Sequence, residues 1–141
     1  MAPPRSRPVL ITLDRHSGQP VFRQIVEQVR FQVAGGILEP GSEIPSTREL
    51  AARLGINPMT VSKAYTALEQ EGVLDRRPGL ALVVRARDYV ARIDDQRAEL
   101  ARLLHPAALA ALQLGLSADD ALAVFRTALA ESGARAARRI E

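Results

Sequence analysis

The sequence contains no cysteine and no tryptophan, only two histidines, and a single lysine among its 19 basic residues. Without thiols there can be no disulfide and no thiolate metal site, although the redox compartment stays open. His16 and His105 lie far apart and have no partner at ligand spacing, so no metal site is expected. An HExxH pair, a phosphate-binding glycine loop and a carboxylate pair away from solvated helical faces are also missing; Asp94-Asp95 and Asp119-Asp120 read as helix-surface or helix-N-terminal charges. These absences exclude the common catalytic constellations, and neither an enzyme nor a bound cofactor is expected. The opening MAPPRSRPVL lacks the apolar core of about 7 to 15 residues that a signal peptide needs. No apolar run reaches membrane-spanning length either, so the expectation is a cytoplasmic protein with no membrane partner.

What is present is a chain of 141 residues with 47% apolar content, enough for one domain, or for a small domain with an appendage. The net charge of +3 is unevenly placed. Residues 1–85 carry 11 Lys and Arg against 8 Asp and Glu, while residues 86–141 carry 8 of each. An anionic partner is therefore expected for the first part only.

That part contains PSTRELAARLGINPMTVSKAYTALEQE, residues 45–71, which reads as two short helices joined by a tight turn. Ser46 caps the first helix with Glu49 three residues on, and Leu50, Ala51 and Leu54 form its apolar face. Gly55 stops it. Asn57 then caps a second helix that starts at Pro58, where a missing amide costs nothing. Val61, Ala64, Tyr65 and Leu68 recur at helical spacing and make one face core, leaving Asn57, Thr60, Ser62, Lys63 and Ala67 directed elsewhere. A helix-turn-helix needs a small residue at the crossing (Ala51), a residue free to take positive φ in the turn (Gly55) and a β-branched residue inside the second helix (Val61). Such a second helix can enter the major groove of double-stranded DNA, its first residues against base edges.

The flanks read as supports. Residues 1–8 are expected to be a disordered Pro- and Arg-rich arm, in which Arg5 and Arg7 either reach a minor groove or stay solvated. Val9 to Leu13 is a β-prone run expected as a short edge strand. A helix from Pro20 carries Phe22, Ile25, Val26, Val29 and Val33 along one stripe and stops at Gly35-Gly36, and Ile37, Leu38, Pro40 and Gly41 make a buried turn. After the second helix, Val73 to Arg76 and Leu82 to Val84 flank a Pro78-Gly79 turn, a β-hairpin.

From Ala86 the chain is strongly helical. Tyr89, Ile93, Leu100, Leu103 and Leu104 lie on a broad face, Pro106 is expected to break or kink the helix, and AALAALQL, with Leu109 and Leu112, resumes it. Ser117 and Asp120 open a last helix with Leu122, Val124, Phe125 and Leu129, and SGARAARRIE is expected to fray. These helices have too little mass to bury their own apolar stripes. Either a second copy covers them, giving a homodimer, or they fold back on the preceding domain.

The run LEPGSEIPSTRELAARLGINPMTVSKAYTALEQEGVLDRRPG resembles the winged helix-turn-helix of the GntR superfamily of bacterial transcription regulators. The shared features are Pro40-Gly41, the Pro-Ser-x-Arg-Glu-Leu-Ala opening, the Leu54-Gly55 turn, Thr60-Val61, and Leu-Glu-x-Glu-Gly before the wing, and they cover roughly residues 10 to 85. The opening ITLDRHSGQPVFRQIVEQV and the NPMTVSKAY helix are most similar to the YtrA subfamily, whose members carry only a short helical tail. The resemblance implies a mainly α fold with a small β-hairpin wing, that is, a winged helix-turn-helix (9–85) followed by a short helical dimerisation domain (86–141). It implies DNA contacts at Ser46, Arg48, Asn57, Thr60, Ser62 and Lys63, and at Arg76, Arg77 and Gly79 of the wing. Arg48 could instead pair with Glu49 or Glu43. Leu80 at the wing tip and Ala81 in place of a second glycine depart from the family pattern, as do Pro58 and Ser62 where many relatives place Arg. Some relatives are fused to a large pyridoxal-phosphate enzyme domain; none is expected within these 141 residues. No effector site is legible; an effector would have to use the dimer interface or the hinge near Arg85 to Tyr89.

The expected function is thus a homodimeric regulator, most simply a repressor, on a pseudo-palindromic operator. The resemblance implies control of a neighbouring operon, often one for an ABC transporter. The alternatives are a winged-helix protein–protein adaptor and a non-specific architectural DNA binder.

Overall fold

The computed structural model describes residues 9–79 and 81–140, with the side chain of Tyr89 excepted. The arm bearing Arg5 and Arg7, and Leu80, lie outside the described residues. The chain divides into two units, Met1–Glu99 and Leu100–Glu141.

In the first unit α1 (Val21–Ala34), α2 (Thr47–Leu54) and α3 (Pro58–Gln70) enclose a core that the strands β1 (Leu74–Arg76) and β2 (Leu82–Val84) close. Ile25 and Val29 of α1, Leu50 and Ala51 of α2, and Val61, Ala64, Tyr65 and Leu68 of α3 are all buried. Phe22 and Val33 pack at the edge of this core. Burial of each such aliphatic side chain contributes roughly 1.5–3 kcal/mol, so the amphipathic stripes decide the helix faces. α1 ends at Ala34, with Gly36 at φ +74° just beyond the helix. Leu38 of the following turn is buried, whereas Ile37, expected inside, is exposed.

Two segments differ from expectation. Val9 to Leu13 is not a strand. Its backbone is gripped instead by glutamines of α1: Gln28 exchanges two hydrogen bonds with Thr12 (2.9 and 2.8 Å), Gln24 does the same with Asp14 (2.8 and 2.8 Å), and Gln32 donates to the Leu10 carbonyl (2.6 Å). Four helical residues rise about 6 Å, close to the roughly 6.6 Å spanned by two extended residues, so glutamines four apart meet every second peptide. The second difference lies at the wing. The segment after Gly41 pairs with β2, through Gly41 N to Val84 O (2.8 Å), Val84 N to Ser42 O (2.9 Å) and Ile44 N to Leu82 O (3.0 Å). β1 and β2 are antiparallel, with Leu74 opposite Val84 and Arg76 opposite Leu82.

α4 (Tyr89–Gln113) starts within the first unit, where its first turns are tied to α1: Gln96 donates to the Ala34 carbonyl (3.2 Å), and Glu99 accepts from Arg30 (2.6 Å). Arg30 also reaches Glu71 (3.0 Å) at the end of α3. Burial alone would pull the Arg30 guanidinium down, but its hydrogen bonds to Glu71 and Glu99 outweigh this and hold it above its ordinary value.

In the second unit α4 continues through Pro106, so of the break or kink expected there the break does not occur. One proline removes a single intrahelical bond, and the Leu and Ala residues on both sides are strong helix formers. α5 (Ala118–Ile140) likewise continues through the segment expected to fray. Ser117 caps it, its Oγ accepting from Asp120 N (3.1 Å). α5 buries none of its residues, and Leu103, Leu109, Leu112, Leu122 and Leu129 are each at least half exposed.

Candidate nucleic-acid interface

The α2–turn–α3 unit is locally determined. Ser46 Oγ accepts from Glu49 N (3.1 Å), so Ser46 starts α2 by capping it. Gly55 takes the left-handed conformation (φ +67°), closing α2 through the Ala51 carbonyl. Asn57 Oδ1 accepts from Met59 N (2.8 Å), and Pro58 occupies the first turn of α3. Tyr65 Oη donates to the Pro45 carbonyl (2.8 Å), tying the middle of α3 to the entry of α2. Burial pushes this phenol well above its ordinary value.

With Val61, Ala64, Tyr65 and Leu68 turned inward, α3 presents Met59, Ser62, Lys63 and Thr66 as an exposed stripe. Ser62 and Lys63 were anticipated there. Met59 and Thr66 were not, although their spacing to Ser62 and Lys63 is the same helical repeat that identified the core face. Met59 is 75% exposed on the first turn of α3, where an apolar group can meet a thymine methyl. Thr60 is half-buried, and so is Ala67, which packs against the core instead of looking outward. Lys63 is not free-swinging, because its ammonium lies over the ring of Phe22 on α1.

Arg48 is exposed on the first turn of α2, and no ion pair joins it to Glu43 or Glu49 among the described residues. Its guanidinium is available. Beside the turn, Asn57 and Thr60 border a cleft of about 330 Å³ whose other wall includes Asp14, Arg15 and Gln19. Arg15 therefore stands close to the start of α3, a placement the sequence did not suggest because the expected edge strand would have ended before it.

On the wing, Gly79 takes φ +71° in the turn, and Arg77 is exposed. Arg76 is held back on α3: its Nη2 lies 2.8 Å from Glu69 Oε1, and this pairing holds the guanidinium above its ordinary value. Of the tail residues singled out from the sequence, Leu100, Leu103, Leu109, Leu112, Leu122 and Leu129 are exposed, whereas Ile93, Leu104 and Phe125 are half-buried. Among the described residues there is no group of His, Cys, Asp or Glu suited to a metal ion, and no helix is long and apolar enough to cross a membrane.

Comparison with known proteins agrees with this geometry. Residues 22–84 match the family described as bacterial regulatory proteins, gntR family. An HTH-type transcriptional regulator of Mycobacterium tuberculosis is 32% identical over 112 residues, covering 79% of this chain and 88% of the relative. The HTH-type transcriptional repressor YtrA of Bacillus subtilis is 43% identical over 70 residues, half of this chain, and the match spans only 54% of that protein. Among solved structures, YtrA from Sulfolobus acidocaldarius, a GntR-family transcription factor, is 36% identical, with a TM-score of 0.53 over 67% of this chain and 96% of its own. A GntR-family regulator from Listeria monocytogenes gives a TM-score of 0.66 at 25% identity, over 79% of this chain and 96% of its own. The winged helix-turn-helix followed by a short helical tail agrees with these matches, and the chain belongs to the gntR family of bacterial regulatory proteins, on its YtrA-like branch.

Proposed function

We propose that the protein is a sequence-specific repressor that binds a pseudo-palindromic operator as a homodimer. The observation that carries this reading is the exposed Met59, Ser62, Lys63 and Thr66 stripe, together with an exposed Arg48 that forms no ion pair among the described residues. It offers short polar, cationic and methyl groups to base edges, with the amides at the start of α3 turned toward phosphate. The twofold partner is argued from the tail. Its leucines stay exposed among the described residues, and a second copy of the same surface covers them with closed symmetry. A dimer places two recognition helices one DNA turn apart, about 34–36 Å. Tyr89 and Ile93 of α4, with the tail leucines and Phe125, are the proposed dimer contacts. Ser46, Asn57, Thr60, Arg76, Arg77 and Gly79 complete the proposed DNA surface. A neighbouring transporter operon as the target is carried by the YtrA resemblance alone. Hydroxyl-radical footprinting on the DNA upstream of its own gene tests the arrangement. Two protected half-sites one turn apart are expected, and a single unbroken or absent footprint contradicts it.

A further inference from the structure

A second basic cluster lies at the end of the first unit opposite the recognition surface. α1 and α3 run alongside each other in the same sense, since Phe22 early in α1 meets Lys63 early in α3, and Arg30 late in α1 meets Glu71 just past the end of α3. The C-terminal end of α1 is therefore roughly 20 Å from the start of α3, at about 1.5 Å rise per residue. There a pocket of about 160 Å³ is bordered by Ala34, Arg85, Arg87, Arg92, Asp95 and Gln96. Three elements supply its arginines. Arg85 leaves β2, Arg87 stands in the linker, and Arg92 is on the first turn of α4.

The three guanidiniums are unequally satisfied. Arg87 is forked onto Asp95, with Nε and Nη2 each 3.0 Å from a carboxylate oxygen. Arg85 is only loosely paired, 3.8 Å from Asp75 with both side chains about half exposed. The Arg92 guanidinium has no hydrogen-bond or ion-pair partner among the described residues. Among the residues that line the pocket the three arginines meet one carboxylate, that of Asp95. Gln96 is engaged with the Ala34 carbonyl, so the donors left to turn inward are those of Arg92 and Arg85.

We propose that this pocket binds a small phosphate-class anion, bridging Arg92 and Arg85 while Arg87 stays on Asp95. Arginine forks match phosphate oxygens bidentately, and a tetrahedral dianion can accept from two elements at once, where a carboxylate offers two oxygens and one charge. The volume is below the roughly 300 Å³ at which pockets for whole organic ligands begin, so the phosphoryl group itself is the part held. A bound anion would join the strand leaving the wing to the first turn of α4. On the DNA-binding reading given above, it would thereby tie the reading head to the helix that enters the tail.

The test uses the full chain without DNA, so its failure leaves the operator reading untouched. Calorimetric titrations with inorganic phosphate, glycerol phosphate and citrate are run at constant ionic strength on the wild type, Arg92→Gln, and Arg126→Gln, an exposed arginine of α5. Saturable binding of inorganic phosphate or the monoester is expected, weakened about tenfold or more in Arg92→Gln and unchanged in Arg126→Gln. Tighter binding of the monoester identifies a phosphorylated metabolite as the source, and equal binding identifies free phosphate. Equal phosphate affinity in wild type and Arg92→Gln, no saturable binding, or saturation by citrate alone would overturn the proposal.

Discussion

The ammonium nitrogen of Lys63 sits 4.0 Å from the centroid of the Phe22 ring, so the only lysine in the protein is aimed by an aromatic residue of a different helix. A cation over a ring at an exposed site gains about 0.5–1 kcal/mol and loses freedom before any ligand arrives. Replacing Phe22 by Leu keeps the apolar packing and removes the ring's charge distribution. Operator affinity should fall about two- to fivefold, with the salt dependence unchanged. Lys63→Ala should weaken binding further and lower the slope of log affinity against log salt by about one. Equilibrium titrations at several salt concentrations check both.

Arg48 is exposed and has no ion pair among the described residues, so its removal costs the fold little. Arg48→Ala should reduce operator affinity about tenfold or more while leaving the melting temperature nearly unchanged. Unaltered affinity would return Arg48 to the ordinary surface.

Tyr65 ties α3 to the Pro45 carbonyl from a buried position. Tyr65→Phe leaves that carbonyl without its donor and should cost about 1–2 kcal/mol in denaturant unfolding. The phenol also carries a pH signature. Its folded value is raised above the unfolded one near 10, so its stabilisation is complete below about pH 10 and is lost as pH rises through the folded value, at about 1.4 kcal/mol per pH unit. Alkaline melts should therefore show a steeper loss for wild type than for Tyr65→Phe.

Leu103 and Leu122 expose apolar side chains on the two tail helices. The double replacement Leu103→Glu, Leu122→Glu places charge where the proposed twofold contact forms. Sedimentation should then report a monomer whose first unit remains folded, and operator affinity should drop by about a hundredfold or more as the linked second head is lost. A dimer that persists would move the self-contact elsewhere.

Much of this fold is written in short-range patterns. The caps at Ser46 and Asn57, the positive φ at Gly55 and the Val61, Ala64, Tyr65, Leu68 stripe each depend on neighbours within one or two turns, and each is where its residue type requires it. The features that escaped are those settled by distant partners. Gln24, Gln28 and Gln32 look like ordinary polar positions of a helix until the extended segment beside them supplies peptides at matching intervals. The same segment, with its ladder taken over by side chains, no longer needs to be a strand. Ser42 and Glu43 gain their pairing only because β2 passes alongside. Arg76 reads as a wing residue in sequence, and only the folded hairpin brings it to Glu69 of α3. Met59 is a different case: as an apolar residue it carries no polar signal in the sequence, although its helical position puts it with Ser62 and Lys63.

The central claim is sequence-specific DNA binding through α3, and a paired titration tests it most directly. Purified protein is titrated against the duplex upstream of its own gene and against a scrambled duplex of equal length, at about 150 mM salt. The account predicts a preference of roughly a thousandfold or more for the upstream duplex, abolished when Ser62 and Lys63 are both replaced by Ala. Equal, weak binding to both duplexes would contradict it.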